Sequence, residues 1–436
     1  MKVLLIGNGG REHALAWKLA ASPRVTALFA IPGNPGIAQL ADNVPISTSD
    51  FAKIERFARE NKIGLVVIGP EDPLANGLAD RLTAAGIPVF GPSKEAARLE
   101  SDKWFAKELM RQQAIPTAEA RSFTDPAAAE EYVRVRDEPL VIKAAGLAKG
   151  KGVVVCHRVQ DALQTIDAMM RKKVHGAAAS RIVIEERLVG PECSILAFVD
   201  RRSIYLMEPS QDHKAVDDGD TGPMTGGMGA YSPTPVVTEE MLRDIERSVL
   251  IPVIDGLIRE GIDYKGVLYA GLMLTSHGPK VLEFNCRFGD PETQPLMMRL
   301  KSDLLEVMLA VAEGRLDEVE LKWDERPALC VVATSAGYPG AYPSGLPITG
   351  IEKADAMPDV KVFQAGTKLQ DGKVVTDGGR VLGVTALGRT ITDAQKRAYA
   401  AMDQIHFDGM HYRRDIGYQA IRGMMSGPNR ETASGG

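Results

Sequence analysis

The sequence carries no excess of basic residues: 52 Lys and Arg stand against 57 Asp and Glu, a formal charge of -5. A nucleic acid backbone would find no cationic field here, so that class of partner is excluded. Cysteine is scarce. Cys156, Cys193, Cys286 and Cys330 lie far apart without a C-x-x-C pair, so neither a zinc knuckle nor a disulfide framework is expected, and a reducing compartment fits. Long apolar runs are also missing. The run over 3–6 is ended by 7–12, short of a signal-peptide core, and no later stretch could span a bilayer. The expectation is a cytoplasmic protein with no membrane partner. No internal repeat at a fixed period is found, so no repeat architecture is indicated.

What is present is an average globular composition, 44% hydrophobic and 25% charged over 436 residues. At roughly 100 to 200 residues per domain, that is chain enough for two to four domains. Short apolar runs over 2–6, 25–30, 65–68 and 87–90 alternate with helical patterns over 12–21, 51–61 and 74–85, which predicts a parallel sheet with crossover helices. Those runs end in turn signals, Gly7-Asn8-Gly9-Gly10, Pro32-Gly33-Asn34-Pro35-Gly36 and Gly69-Pro70-Glu71-Asp72-Pro73, where ligands of open parallel sheets sit. A helical pattern over 93–113 is stopped by Pro116. A smaller α/β unit follows, with strands at 140–144, 153–156 and 181–186 and a helix at 161–170. A strand- and glycine-rich stretch over 193–231 leads to a helix at 239–259, strands at 266–274 and 280–285, and a helix at 295–313. After Pro327 come a strand at 328–334, a Tyr/Pro/Gly-rich loop, a strand at 380–386 and a helix at 393–404.

Five segments could carry chemistry. The turn Gly7-Asn8-Gly9-Gly10-Arg11-Glu12 suits a phosphate at a helix N-terminus, tight packing, or a dinucleotide. The dinucleotide reading lacks a small residue where Glu12 stands and an acid near Ala30. Lys143 lies inside the apolar run 140–144 and must find an anion, because an unpaired buried ammonium is costly. The loop that follows adds Lys149 and Lys151 among glycines, a surface for polyphosphate or simply a basic loop. The strand Ile182-Val183-Ile184-Glu185-Glu186 runs into a hinge whose backbone could meet an adenine edge, although solvated acids at a strand end would read the same way. On the strand ending in Glu283-Phe284-Asn285-Cys286-Arg287, alternation puts Glu283, Asn285 and Arg287 on one face. One carboxylate and one amide suffice for Mg²⁺ beside substrate phosphates, while an ordinary polar strand face is the plainer alternative. Lastly, Gln211-Asp212-His213-Lys214 and the glycine-rich run 222–229 suit a loop that closes over a substrate, or a mobile surface loop with a structural His213.

Taken in order, these segments resemble the phosphoribosylamine-glycine ligase family of the ATP-grasp superfamily. The resemblance runs from Gly7-Asn8-Gly9-Gly10-Arg11-Glu12-His13-Ala14 through Arg287-Phe288-Gly289-Asp290-Pro291-Glu292-Thr293-Gln294 to His411-Tyr412-Arg413-Arg414-Asp415-Ile416-Gly417. It implies an α/β fold with α+β parts. An N-terminal Rossmann-like domain would cover 1–101, an ATP-grasp domain 102–325 with a lid at about 124–187, a strand-rich domain 326–425, and a loose tail 426–436. It further implies an enzyme that takes ATP, glycine and 5-phosphoribosylamine, with Mg²⁺ or Mn²⁺ on Glu283 and Asn285; a monomer is expected, although the sequence does not establish oligomeric state. Lys103, Lys143, Lys149 and Lys151 would contact phosphates, Glu185, Glu186 and Leu188 would frame the adenine, and Glu192 would reach the ribose. Gly9, Gly10, Arg11, Glu12, Pro32, Gly33, Asn34 and Gly36 would receive the sugar phosphate. Asp212, Lys214, Arg287, Asp290 and Glu292 would surround the reacting centre. The chain departs from the family pattern at Met224, where Asn is usual, and at Ala215 and Asp217 near Lys214. The segment Ala270-Gly271-Leu272-Met273 supplies no second acidic metal ligand. An NAD-dependent oxidoreductase and a non-catalytic nucleotide-binding regulator are the alternatives. The first lacks its ribose acid, and the second would be expected to have lost Glu283 or Lys143.

Overall fold

The computed structural model describes residues 1–148 and 152–425. Lys149, Lys151 and the tail 426–436 lie outside the described residues.

The first sheet has five parallel strands in the order Asp42–Asn43, Ala27–Pro32, Lys2–Gly7, Leu65–Ile68, Val89–Phe90. Beyond the exposed Lys2 its central strand is apolar and buried, because helices cover both faces of a parallel sheet. Three of the expected helices are broken, and charged residues stand beside two of the breaks. Gly77 takes a left-handed φ of 86° and divides the pattern over 74–85 into Glu71–Ala75 and Leu78–Ala84, and Glu71 opens the first of them after Pro70. Asp102 leaves helical geometry and caps the N–H groups of Trp104 and Phe105, so Arg98–Ser101 and Lys103–Gln112 are separate helices. Lys103 and Lys107 then share a face one turn apart. The pattern over 295–313 is likewise two helices, Thr293–Arg299 and Leu304–Glu313.

A smaller antiparallel sheet follows, ordered Ala120–Phe123, Ile182–Glu186, Leu140–Ala144, Val153–Cys156, with its own core of Ala129, Val133, Leu140, Ile142, Ile166 and Ile184. Facing it is the sheet Ser203–Leu206, Glu192–Asp200, Lys265–Thr275, Gly278–Asn285. A further sheet orders Gln211–Asp212, Gly229–Ser232, Ala328–Thr334, Arg380–Leu387 and Val360–Gln364. It thus draws two strands from before residue 326 and three from after it. The run expected as a loop after 334 holds Val360–Gln364 and the hairpin of Thr367–Gln370 with Lys373–Thr376. One apolar core joins the first sheet to the rest, with the Phe90, Phe198 and Phe288 rings 5.9 to 6.2 Å apart.

Candidate functional site

Strand Gly278–Asn285 delivers its polar face to the ends of the first sheet, and Arg287 just beyond it organises the junction. Its Nη2 lies 2.7 Å from Glu100 Oε1 and donates to Asn285 Oδ1 at 3.1 Å, while Nε stands 3.3 Å from Glu71 Oε2. The second Glu100 oxygen accepts from the Cys286 N–H at 2.8 Å, so Glu100 grips the strand end twice. Arg11 donates to the Phe288 carbonyl at 3.0 Å and to Glu12 at 2.6 Å. Burial would raise the Glu71 carboxyl, but the Arg287 and Arg11 guanidiniums outweigh it and hold the group at about 2. For Glu100 burial wins, and it is raised despite Arg287.

Behind this junction the small antiparallel sheet meets the sheet that faces it through lysines. Lys143 Nζ lies 2.9 Å from Glu185 Oε2 and donates to the Leu282 carbonyl at 2.9 Å. The other Glu185 oxygen is 3.2 Å from Lys107 Nζ, which also donates to Thr117 at 2.7 Å. Burial pushes Lys107 down to about 8, with the Glu185 charge opposing and Lys143 assisting. Burial also lowers Lys103, which donates to the Gly146 carbonyl at 3.3 Å. Half-buried Glu283 faces Lys214, Lys143 and Lys103, whose charges outweigh burial and lower its pKa. Its carboxylate makes no hydrogen bond and no ion pair among the described residues. An ionised carboxylate left open among cations, beside the Asn285 amide oxygen, fits a hard cation such as Mg²⁺ together with phosphate oxygens. No trio of His, Cys, Asp or Glu among the described residues is placed to hold a metal by itself.

A second buried group lies alongside. Lys214 Nζ is 3.2 Å from Glu192, and Glu292 Oε1 accepts from Tyr269 at 2.6 Å and Ser194 at 3.1 Å. Burial pushes Asp212 up to about 7, helped by Glu292 and Glu192 and opposed by Lys214. Lys214 itself is raised: burial lowers it, but Glu192 and Asp212 prevail. Asp290 accepts from Gln294 at 2.9 Å and lies 3.5 Å from Arg380, which donates to the Asp290 and Gly226 carbonyls at 2.7 and 2.8 Å.

Several of the expected side chains are already engaged within the fold. Glu12 is already engaged: it accepts from the Gly9 N–H at 2.7 Å and from Arg11. A Cβ at Gly7, Gly9 or Gly69 would stand 2.2 to 2.7 Å from Glu12, so these glycines are required by packing around that side chain. The Asn34 amide donates to the Asn8 and Gln364 carbonyls, and its oxygen accepts from Ile37, which leaves this side chain no free donor for a phosphate. Gly33 and Gly36 pack against Asn43 and His13 in the same loop. Glu185 spends its carboxylate on the two lysines, and Glu186 turns to Lys280 at 2.9 Å, so this hinge offers backbone and the half-buried Leu188. Met224 is exposed on the hairpin of Ala215–Asp217 with Thr221–Met224. Glu71, Glu100, Lys107, Ser194, Tyr269 and Arg380 were missed. Lys107 was within reach as the residue one turn beyond Lys103, and Glu71 stands in a quoted turn, but Glu100 and Arg380 carry no sequence signal.

His213 is structural. Its Nε2 accepts from the Gly417 N–H at 3.2 Å, and burial, with Arg413 nearby, pushes it down to about 4. The folded-state value lies below the unfolded one, so the unfolded chain takes up the proton first and stability is lost as pH falls below about 6.5. At pH 5 the loss is about 2 kcal/mol. In urea unfolding at pH 7 and pH 5, His213→Gln, which can still accept from Gly417, is expected to show a drop smaller by that amount. An equal drop in both proteins would contradict the assignment.

Residues 1–100 match the N domain of phosphoribosylglycinamide synthetase, 101–293 its ATP-grasp (A) domain and 328–419 its C domain. The chain is 53% identical over 426 residues to a phosphoribosylamine–glycine ligase of Rhodopirellula baltica, covering 96% of this chain and 98% of that one. It is 52% identical over 425 residues to the Escherichia coli protein of that name, covering 97% and 99%. The crystal structure of the Thermotoga maritima phosphoribosylamine–glycine ligase superposes with a TM-score of 0.83 at 33% identity, over 95% of this chain and all of that one. A biotin carboxylase domain from Hydrogenobacter thermophilus, solved with MgADP, shares the fold at a TM-score of 0.72 and 16% identity, over 94% and 91% of the two chains. With all three domains matched in order and half of its residues shared with full-length relatives, the chain belongs to the phosphoribosylglycinamide synthetase family, built on the ATP-grasp fold.

Proposed function

We propose that this protein joins glycine to the amine of 5-phosphoribosylamine, consuming ATP and releasing ADP and phosphate, as a step of purine biosynthesis. The observation that carries the reading is Glu283, an open carboxylate ringed by Lys214, Lys143 and Lys103 where lid and larger sheet meet. Phosphoryl transfer asks a protein for positioning and charge neutralisation rather than covalent chemistry. In this reading Lys103 and Lys143 hold the phosphates, with Lys149 and Lys151 added from outside the described residues. Glu283 and Asn285 would hold Mg²⁺. When bound, that ion neutralises charge on the phosphate oxygens. The hinge after Glu186 meets the adenine through its backbone and Leu188, and Glu192 stands between the ribose side and Lys214.

A carboxylate resists an amine because oxide is a hopeless leaving group, and transfer of the ATP γ-phosphoryl to glycine makes phosphate the leaving group. Lys214 pairs with the glycine carboxylate while Asp212, Glu292 and Asp290 surround the incoming amine. Arg287, held by Glu71 and Glu100, supplies fixed positive charge at the reacting centre. The glycine turn and the Asn34 loop form the wall against which the sugar phosphate sits. They act through main chain and Arg11, since Glu12 and Asn34 are occupied within the fold. Closure of the lid keeps the acyl phosphate from water. Among the described residues no helix is long and apolar enough to cross a membrane, which fits our placing of the activity in the cytoplasm.

ADP release should require both glycine and phosphoribosylamine generated in place. Release at an undiminished rate without glycine would contradict the reading. Lys214→Ala should raise the glycine KM or lower kcat by about tenfold to a hundredfold, the worth of one charge-assisted hydrogen bond, while leaving the ATP KM near wild type. Unchanged glycine kinetics would remove Lys214 from the site.

A further inference from the structure

The motif His411-Tyr412-Arg413-Arg414-Asp415-Ile416-Gly417 has no place in the chemistry above, yet it grips the chain that carries Asp212 and Lys214. The Arg413 side chain is fully buried; Nη1 donates to the Ala215 carbonyl at 3.2 Å and to Asp220 Oδ1 at 2.8 Å. Nε and Nη2 donate to Asp415 at 2.8 and 2.9 Å, and Asp415 Oδ2 in turn accepts from the Gly219 N–H at 2.8 Å. Asp218 accepts from the Arg414 N–H at 2.8 Å, His411 Nε2 lies 3.0 Å from the Val216 carbonyl, and Tyr418 donates to Asp220 at 2.6 Å. With the Gly417 to His213 bond, the segment is held immediately before and after Lys214. The Lys214 carbonyl itself accepts from Thr225 N and Oγ1 at 2.8 and 2.7 Å.

We propose that Arg413 is a positioning residue, which with Asp220 and Asp415 fixes the main chain over 213–220 so that Lys214 and Asp212 reach the reacting centre. The inference rests on the reading of Lys214 given above. The planar fork of a guanidinium is what the position demands: one side chain satisfies two carboxylates and a carbonyl at once, which an ammonium cannot do in the same geometry. It also divides labour within the fold. A segment stapled at this many points is a fixed wall, and closure falls to the lid around Ala120–Phe123 and Ile182–Glu186.

The full-length protein with Asp220→Asn, and separately with Arg413→Lys, tests this beside Lys214→Ala. Asp220→Asn keeps shape and removes one charge-assisted contact of Arg413 and the charge that Tyr418 donates to. Glycine kcat/KM is expected to fall about tenfold in Asp220→Asn and further in Arg413→Lys, with the ATP KM unchanged. Should Arg413→Lys fail to fold, Asp220→Asn decides alone. Wild-type glycine kinetics in Asp220→Asn while Lys214→Ala is impaired would overturn the positioning role and spare the reading of Lys214. An ATP KM that rises in step with the glycine KM would also overturn it, since general loosening would then explain the loss. An unimpaired Lys214→Ala would remove both.

Discussion

Glu283→Ala is expected to lower kcat at least about a hundredfold, ~2.7 kcal/mol of barrier, without unfolding the protein. The carboxylate has no hydrogen bond to lose among the described residues, so its removal takes away little that holds the fold. What it takes away is an anion that faces Lys214, Lys143 and Lys103 together, and with it the proposed seat of the cation. Glu283→Gln, which keeps the shape, should fare little better. Steady-state rates at saturating ATP and Mg²⁺, read beside a thermal melt, make the measurement; a variant keeping more than about a tenth of wild-type kcat would falsify the role.

Glu283 is also where the sequence was most informative. A strand has a period of two, so Val281-Leu282-Glu283-Phe284-Asn285-Cys286-Arg287 announces a polar face, and the 3.1 Å contact from Arg287 to Asn285 shows those two side chains meeting. Lys143 was legible for a related reason: a lysine in an apolar strand must find an anion, and Glu185 on the adjacent strand supplies it. The parallel first sheet was readable from the alternation of apolar runs with helical patterns. What escaped the reading arose where helical periodicity runs through a short break. Glu71 and Glu100 lie on the short helices that precede the breaks at Gly77 and Asp102, and one-turn breaks leave almost no trace in an apolar pattern. Arg380 and Arg413 reach their partners across 90 and 193 residues of chain, a separation at which no spacing rule operates. The sheet that crosses residue 326 is hidden for the same reason, since strand pairing at long range is settled by packing.

Arg287→Ala should have the largest effect on stability, about 3 to 5 kcal/mol, because it leaves buried Glu100 and half-buried Glu71 without their shared cation. The expected signature is a lower urea midpoint together with loss of turnover. The double variant Arg287→Ala with Glu100→Gln should recover part of the stability, since an amide costs less to bury unpaired than a carboxylate, and turnover should stay low. Stability losses that simply add would mean that Arg287 and Glu100 are not coupled. Glu71 supplies a second check. Its carboxyl, held at about 2 in the native protein by Arg287 and Arg11 against the pull of burial, contributes stability that is fully present above its unfolded pKa and is lost as pH falls through that value toward about 2. In Arg287→Ala, where the folded-state carboxyl is no longer held so low, that acid-induced loss should be smaller.

The most direct test of acyl phosphate chemistry follows the oxygen. Glycine labelled with ¹⁸O in its carboxylate should pass one labelled oxygen to inorganic phosphate in each turnover, because the oxygen that accepts the γ-phosphoryl group leaves with it when the amine attacks. Labelled phosphate accompanied by ADP is the expected result. Unlabelled phosphate, or AMP with pyrophosphate, would contradict it and point to an adenylate or to a different reaction class.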